Sequence, residues 1–122
     1  MRLSRVGKGR KGEDAAVKFL KRKGFKILER NFRTRFGEID LVCMKGERVI
    51  FVEVKAKTGE RFGEPWEMVD ERKINQIKRM GKFYLMKNGM NDSWCRLDVV
   101  GVWLRDGKVE KLEHWENVGD LT

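Results

Sequence analysis

Asp40 and, after a gap of twelve residues, Glu53-Val54-Lys55 are the residues of this chain whose types and spacing suit chemistry at a phosphate. Gly46-Glu47, between two apolar stretches, is a two-residue loop beginning with glycine and fits a type II′ hairpin. Lys45 then faces Arg48, and the same register carried along the strands sets Asp40 directly opposite Glu53 and Glu38 opposite Lys55. Two carboxylates with Cβ atoms about 5 Å apart repel each other unless something offsets their charge. A divalent cation would do so. Mg2+ or Mn2+ takes hard oxygen ligands and keeps waters that can serve as nucleophiles. Strand alternation puts Lys55 on the face of Glu53, where an ammonium can orient an attacking water or neutralise charge developing on a phosphoryl group. The competing reading is a solvated sheet rim on which these carboxylates pair with neighbouring lysines and arginines. Against it, Glu38, Asp40, Glu53 and Lys55 interrupt strands that are otherwise strongly apolar, and ionisable groups so placed are functional candidates.

The elements that must position this group follow from hydrophobic periodicity. Residues 1–10 hold Arg2, Arg5, Lys8 and Arg10 with two glycines, and are expected as a mobile basic arm. Ala15, Ala16, Phe19 and Leu20 recur at helical spacing over residues 11–23, with Gly24 as the stop and Lys18, Lys21, Arg22 and Lys23 on the exposed face. Residues 25–32, 38–45 and 48–56 read as three strands, the second with Ile39, Leu41 and Cys43 on one face and Asp40 and Val42 on the other. A loop with Gly59, Gly63 and Pro65 leads to a second helix over 70–87, with Ile74, Ile77, Gly81, Tyr84 and Leu85 along one face. Gly81 weakens that helix by about 1 kcal/mol, a cost accepted where another backbone approaches closely. Two further strands, 94–104 and 108–115, flank Asp106-Gly107. The order predicts one α/β domain over residues 1–122.

Length and charge narrow the function. The 122 residues leave no room for a second catalytic domain, and apolar runs such as residues 49–52 fall far short of the roughly 20 residues of a bilayer span. With no secretory signal pattern, the expected location is cytoplasmic. Cys43 and Cys95 are too few for a zinc site, and a single histidine, His114, excludes two-histidine metal motifs. The net charge of +9 is confined to one segment: residues 1–36 hold thirteen Lys or Arg against Glu13, Asp14 and Glu29, and the remainder is close to neutral. Such a footprint suits a polyanion, nucleic acid ahead of anionic lipid or a merely solvated face.

The motifs resemble a known group. Asp40 followed by Glu53-Val54-Lys55 looks like the Asp…Glu-x-Lys core of the PD-(D/E)xK nuclease superfamily, which includes Holliday junction resolvases. Gly12-Glu13-Asp14-Ala15-Ala16, the run from Asn31 to Leu41, Phe51-Val52-Glu53-Val54-Lys55 and Arg96-Leu97-Asp98 are together similar to the small bacterial YraN family. The resemblance implies a restriction-endonuclease-like αβββαβ core, a central mixed sheet flanked by helices. It further implies that Asp40 and Glu53 bind Mg2+ or Mn2+, that Lys55 assists hydrolysis of a phosphodiester, and that Glu13 reaches the metal through water. For Glu13 the alternative is dipole stabilisation at a helix N-terminus. Ile39 stands where the superfamily name has Pro.

The function this implies is a metal-dependent endonuclease acting on branched or structured DNA, with RNA also open as substrate and symmetric cutting of a two-fold junction favouring a homodimer. Arg33 and Arg35, just ahead of Glu38, are placed to contact phosphates, as are Lys57 and Arg61 from the loop and Lys18 and Arg22 from the first helix. Lys73 reads as an exposed helical lysine, and Arg96 with Asp98 as a structural ion pair or a support for the site. The rival readings are a nucleic-acid-binding module of the same fold without turnover, and a basic protein-interaction scaffold.

Overall fold

The structure, a computed structural model, describes residues 2–58, 69–90, 94–119 and 121. Its order is α1 (Arg2–Arg22), β1 (Lys26–Thr34), β2 (Gly37–Lys45), β3 (Arg48–Thr58), α2 (Glu71–Lys87), β4 (Trp94–Arg105) and β5 (Lys108–Gly119). This is the expected α/β succession, and it is consistent with a restriction-endonuclease-like core. The strands form one mixed sheet in the order β1-β2-β3-β4-β5, parallel between β3 and β4 and antiparallel elsewhere. The parallel pair requires a crossover, and α2 lies within it.

The helices cover opposite faces. Ala16, Val17 and Leu20 of α1 pack on Leu41, Cys43, Ile50, Val52, Val100 and Val102. Ile77, Met80 and Tyr84 of α2 pack on Ile39, Val42, Val49, Phe51, Leu97 and Val99. β3 and β4, covered on both sides, therefore bury neighbouring residues on both faces, Val49 to Val52 in one and Val99, Val100 and Val102 in the other, rather than alternating strictly. The segment expected as a separate arm is helical, since α1 begins at Arg2. No proline precedes residue 11 to stop a helix, and arginine, lysine and leucine are good helix formers.

Glycines set two close approaches. A Cβ on Gly12 would lie 2.7 Å from that of Ala56, so its absence lets α1 settle on β3. A Cβ on Gly81 would lie 2.7 Å from Cε2 of Phe51, so the close neighbour expected there is an aromatic ring and not a backbone. Gly46 takes φ 62° in the β2–β3 turn, as a type II′ turn requires of its first central residue.

The expected β2–β3 register holds from Lys45↔Arg48 to Leu41↔Val52 and stops there. The anticipated Asp40–Glu53 and Glu38–Lys55 ladder pairs lie beyond its end. On the other side of β2, the β1 ladder joins Arg30 to Leu41 and Phe32 to Ile39 and passes over Asp40. Asn31, between Arg30 and Phe32, has φ 55°, a left-handed kink that reverses the side-chain alternation. Ile39 consequently packs in the α2 core while Leu41 and Cys43 pack in the α1 core, which corrects the expectation that all three share a face.

Candidate functional site

Asp40 occupies this break in the sheet. A two-residue hairpin makes alternate facing pairs hydrogen-bonded, so continuation of the ladder would give the Val54 N–H to the carbonyl of Ile39. That N–H donates instead to Asp40 Oδ2, at 2.8 Å. The carboxylate thus lies where two strands part, fixed by the backbone of the residue between Glu53 and Lys55.

Glu53 faces α2 and is 4% exposed. Its Oε2 lies 3.6 Å from Lys73 Nζ, at the N-terminal turn of α2, where Asp70 caps the helix by accepting the Lys73 backbone N–H at 2.8 Å. Its Oε1 is the buried side-chain oxygen that, among the described residues, has no hydrogen-bond partner. Burial first, and then the charge of Asp40, push the Glu53 carboxyl up to about 7 against the pull of Lys73, Lys55 and the Asp40 backbone N–H. Asp40 is also raised, by burial and by the charges of Glu38 and Glu13, with the Val54 N–H and Lys73 acting the other way. Asp40, Glu53, Lys55, Glu38, Glu13 and Lys73 therefore share one electrostatic neighbourhood.

Glu13 reaches it from α1. Its Oε1 accepts from Arg30 Nε at 2.9 Å and from Asn31 Nδ2 at 3.0 Å, which ties the helix to the kink beside Asp40. Glu13 is the twelfth residue of α1, so the dipole-stabilising alternative is set aside. Its carboxylate is already engaged, and among the described residues no group of three or more His, Cys, Asp or Glu is arranged to hold a metal. The acidic pair Asp40 and Glu53 remains, and the unpartnered Glu53 oxygen beside a second carboxylate fits a hard divalent cation.

The basic residues divide. Arg33 pairs with Glu38 at 3.3 Å and stays largely in solvent, and Arg35 is exposed with its guanidinium 5.1 Å from the centre of the Phe36 ring. Both are carried by the end of β1 and its turn, close to Glu38. Lys57 is exposed near the end of β3. Lys18 and Arg22 are exposed on α1, but at about 100° per residue they lie roughly 140° and 180° around the helix from Glu13, so they are not brought to the acidic group. Arg61 lies outside the described residues, as do Gly59, Gly63 and Trp66.

Lys73 was open to recognition in the sequence: it stands four residues before Ile77 and hence on the same helix face as the apolar stripe. Asp98 belongs to a different cluster, on the α1 side of the sheet. It accepts from Arg96 Nε at 3.0 Å, from the Asn117 N–H at 2.9 Å and from His114 Nε2 at 2.8 Å. His114 Nδ1 lies 2.6 Å from Lys23 Nζ. An ammonium only donates, so Nδ1 is the accepting nitrogen and Nε2 carries the proton given to Asp98. Burial alone would raise the Asp98 carboxyl, but these hydrogen bonds outweigh it and hold the carboxyl below its usual range.

The family model described as "Uncharacterised protein family UPF0102" matches residues 12–102, the span from the Gly12 contact through most of β4. The chain belongs to the UPF0102 family. This is the YraN-like group that the motifs resemble. A UPF0102 protein of Pelotomaculum thermopropionicum is 44% identical over 110 residues, covering 89% of this chain and 92% of its own. That of Syntrophomonas wolfei is 46% identical over 103 residues, covering 84% and 89%. That of Moorella thermoacetica is 43% identical over 114, covering 93% and 95%. A solved structure of Pyrococcus furiosus SfsA in complex with Ca2+ aligns at a TM-score of 0.41 and 14% identity, over 93% of this UPF0102 chain and 63% of that one.

Proposed function

We propose that this UPF0102 protein is a metal-dependent endonuclease acting on branched or structured DNA. The observation that carries the reading is Glu53 Oε1, a buried carboxylate oxygen without a hydrogen-bond partner among the described residues, beside the half-buried carboxylate of Asp40. Leaving such an atom unsatisfied is costly, and sites that accept the cost are enriched in function. Asp40 and Glu53 would hold Mg2+ or Mn2+, which when bound supplies Lewis-acid polarisation of the phosphate and an acidified water. The chain's own residues do the rest. The Val54 N–H fixes the Asp40 carboxylate, Lys73 holds Oε2 of Glu53, and Lys55, on the same strand as Glu53, offers a cation for phosphoryl charge. Arg33 and Arg35 bring positive charge to the same edge for backbone phosphates, which give affinity without sequence information.

A second reading, a binding module without turnover, is favoured by one contact: the Lys73 ammonium already lies near Glu53 and partly takes the place of a cation. One experiment separates the two. The full chain is assayed on linear, flapped and four-way DNA with Mg2+, Mn2+ or EDTA. The endonuclease reading expects divalent-dependent cleavage that falls at least about 100-fold in Asp40→Asn and Lys55→Ala while binding persists. Binding with no cleavage under any of these conditions establishes the module instead.

A further inference from the structure

A cavity of about 500 Å³ opens between the β1–β2 turn and the first half of α2, lined by Phe36, Glu71, Arg72, Asn75, Gln76 and Arg79. Its aromatic wall is unusual for an exposed turn. Phe36 is 46% exposed, and guanidinium groups from two different elements, Arg35 and Arg79, lie over its ring, 5.1 and 5.7 Å from the centre. The turn that carries the ring is held from both sides: the Phe36 N–H donates to Thr34 Oγ1 at 3.0 Å, and Gln76 Nε2 donates to the Phe36 carbonyl. Bases stack on guanidinium planes as well as on aromatic rings, so an exposed phenylalanine on a fixed backbone, with arginines over its ring and a polar cavity beside it, is a platform for a flat ring with hydrogen-bonding edges.

The polar lining indicates which part of a nucleic acid enters. A phosphate would be served by Arg72 and Arg79 but would make no use of Phe36 or of the Glu71 carboxylate. A nucleobase uses both: its π-face stacks on the ring, and its edge presents amino or imino donors that a carboxylate or the Asn75 amide can receive. The cavity is within the size range of sites that enclose small planar ligands. It also adjoins the acidic pair, because Arg72 and Gln76 lie within one helical turn, about 5 Å along the axis, of Lys73, the lysine next to Glu53. Phe36 itself stands two residues before Glu38, whose charge is felt at Asp40.

We propose that this cavity receives one unpaired nucleobase of the DNA, stacked on Phe36, beside the phosphate engaged at Asp40 and Glu53. The inference rests on the phosphodiester reading and narrows it: a base stacked there has left the duplex, so the substrate has an unpaired nucleotide next to the site, as forks, flaps and junctions do. Recognition is then of an opened strand rather than of a sequence.

The test uses the full chain and a forked DNA with 2-aminopurine at the first unpaired position, against a blunt duplex of equal length. Stacking is expected to quench the 2-aminopurine emission on binding, with the fork bound about tenfold more tightly than the duplex. Phe36→Ala is expected to abolish the quenching and bring the fork-to-duplex ratio near one, and Phe36→Trp to restore both. Unchanged emission on binding, or a ratio that Phe36→Ala leaves intact, overturns the pocket. Cleavage is scored on the same DNAs with Mg2+. Stacking without cutting removes the hydrolytic reading and leaves the pocket standing. Cutting that ignores both the fork and Phe36→Ala does the reverse.

Discussion

The Asp40 carboxylate receives the backbone N–H of Val54 at 2.8 Å, where an uninterrupted ladder would have used a carbonyl of β2. A side chain thereby joins two strands at the point where their pairing ends, and one of its oxygens is committed to structure.

Asparagine and alanine at this position should therefore part company. Asp40→Asn keeps an acceptor for Val54 and should melt within about 1 kcal/mol of the parent, while Asp40→Ala leaves that N–H unsatisfied and should cost about 1–3 kcal/mol. Both should lose divalent-cation affinity. Urea melts with and without Mn2+ check this, and equal stability of the two variants would argue that the bond contributes nothing.

Glu53 gives a pH dependence of defined sign. Its carboxyl, near 7 in the folded chain and close to the ordinary glutamate value when unfolded, means that the folded state binds more protons between those values. Stability in EDTA should fall as pH rises from about 4.5 to 7 and level off above. Glu53→Gln should flatten that slope and stabilise the chain by about 1–3 kcal/mol at pH 8, and should weaken divalent-cation binding. Thermal melts at pH 5 and 8 measure it. Mg2+ should restore part of the difference to the parent and none to the variant.

Asp98 has the opposite sign. Its carboxyl is held below the usual range by His114, Asn117 and Arg96, so its contribution is complete above the ordinary aspartate value and is lost as pH falls through the lowered one. Asp98→Asn should cost about 3–5 kcal/mol at pH 7, because it leaves Arg96 without its buried partner. The difference from the parent should shrink in strong acid, where both side chains are uncharged. Chemical denaturation at pH 7 and in strong acid is the measurement.

Gly81 and Phe51 form a testable pair. Alanine at 81 gains about 1 kcal/mol of helix propensity but drives a methyl to 2.7 Å from the Phe51 ring. Overpacking should win, for a net loss of about 1–2 kcal/mol. In a Phe51→Leu background the same change should become neutral or favourable, and a double-mutant cycle reads the coupling.

Much of the frame was legible in the sequence because short-range rules governed it. Gly46-Glu47 set the hairpin and its register from Lys45↔Arg48 to Leu41↔Val52, and Gly24 and Gly89 follow the two helices. What escaped depended on one residue's backbone or on distant contacts. Strand alternation assumes an unbroken pleat, and Asn31 breaks it in a conformation that its side chain tolerates but does not announce. Asp40 lies opposite that kink, outside the pairs of both ladders. Glu13 was legible as a motif residue, yet its place in the middle of α1 depended on a helix that starts at Arg2. Lys73 was on the right face and was read as exposed, because lysine next to an apolar stripe usually extends into solvent.

The link from Lys23 through His114 to Asp98 joins the end of the first helix to the last strand, 91 residues further along. On a ribosome, α1 emerges early and must wait for β5 before its final turn can be fastened. Phe25, whose ring meets that of His114 edge to face at 5.5 Å between centres, likewise gains this part of its cover only once β5 is in place.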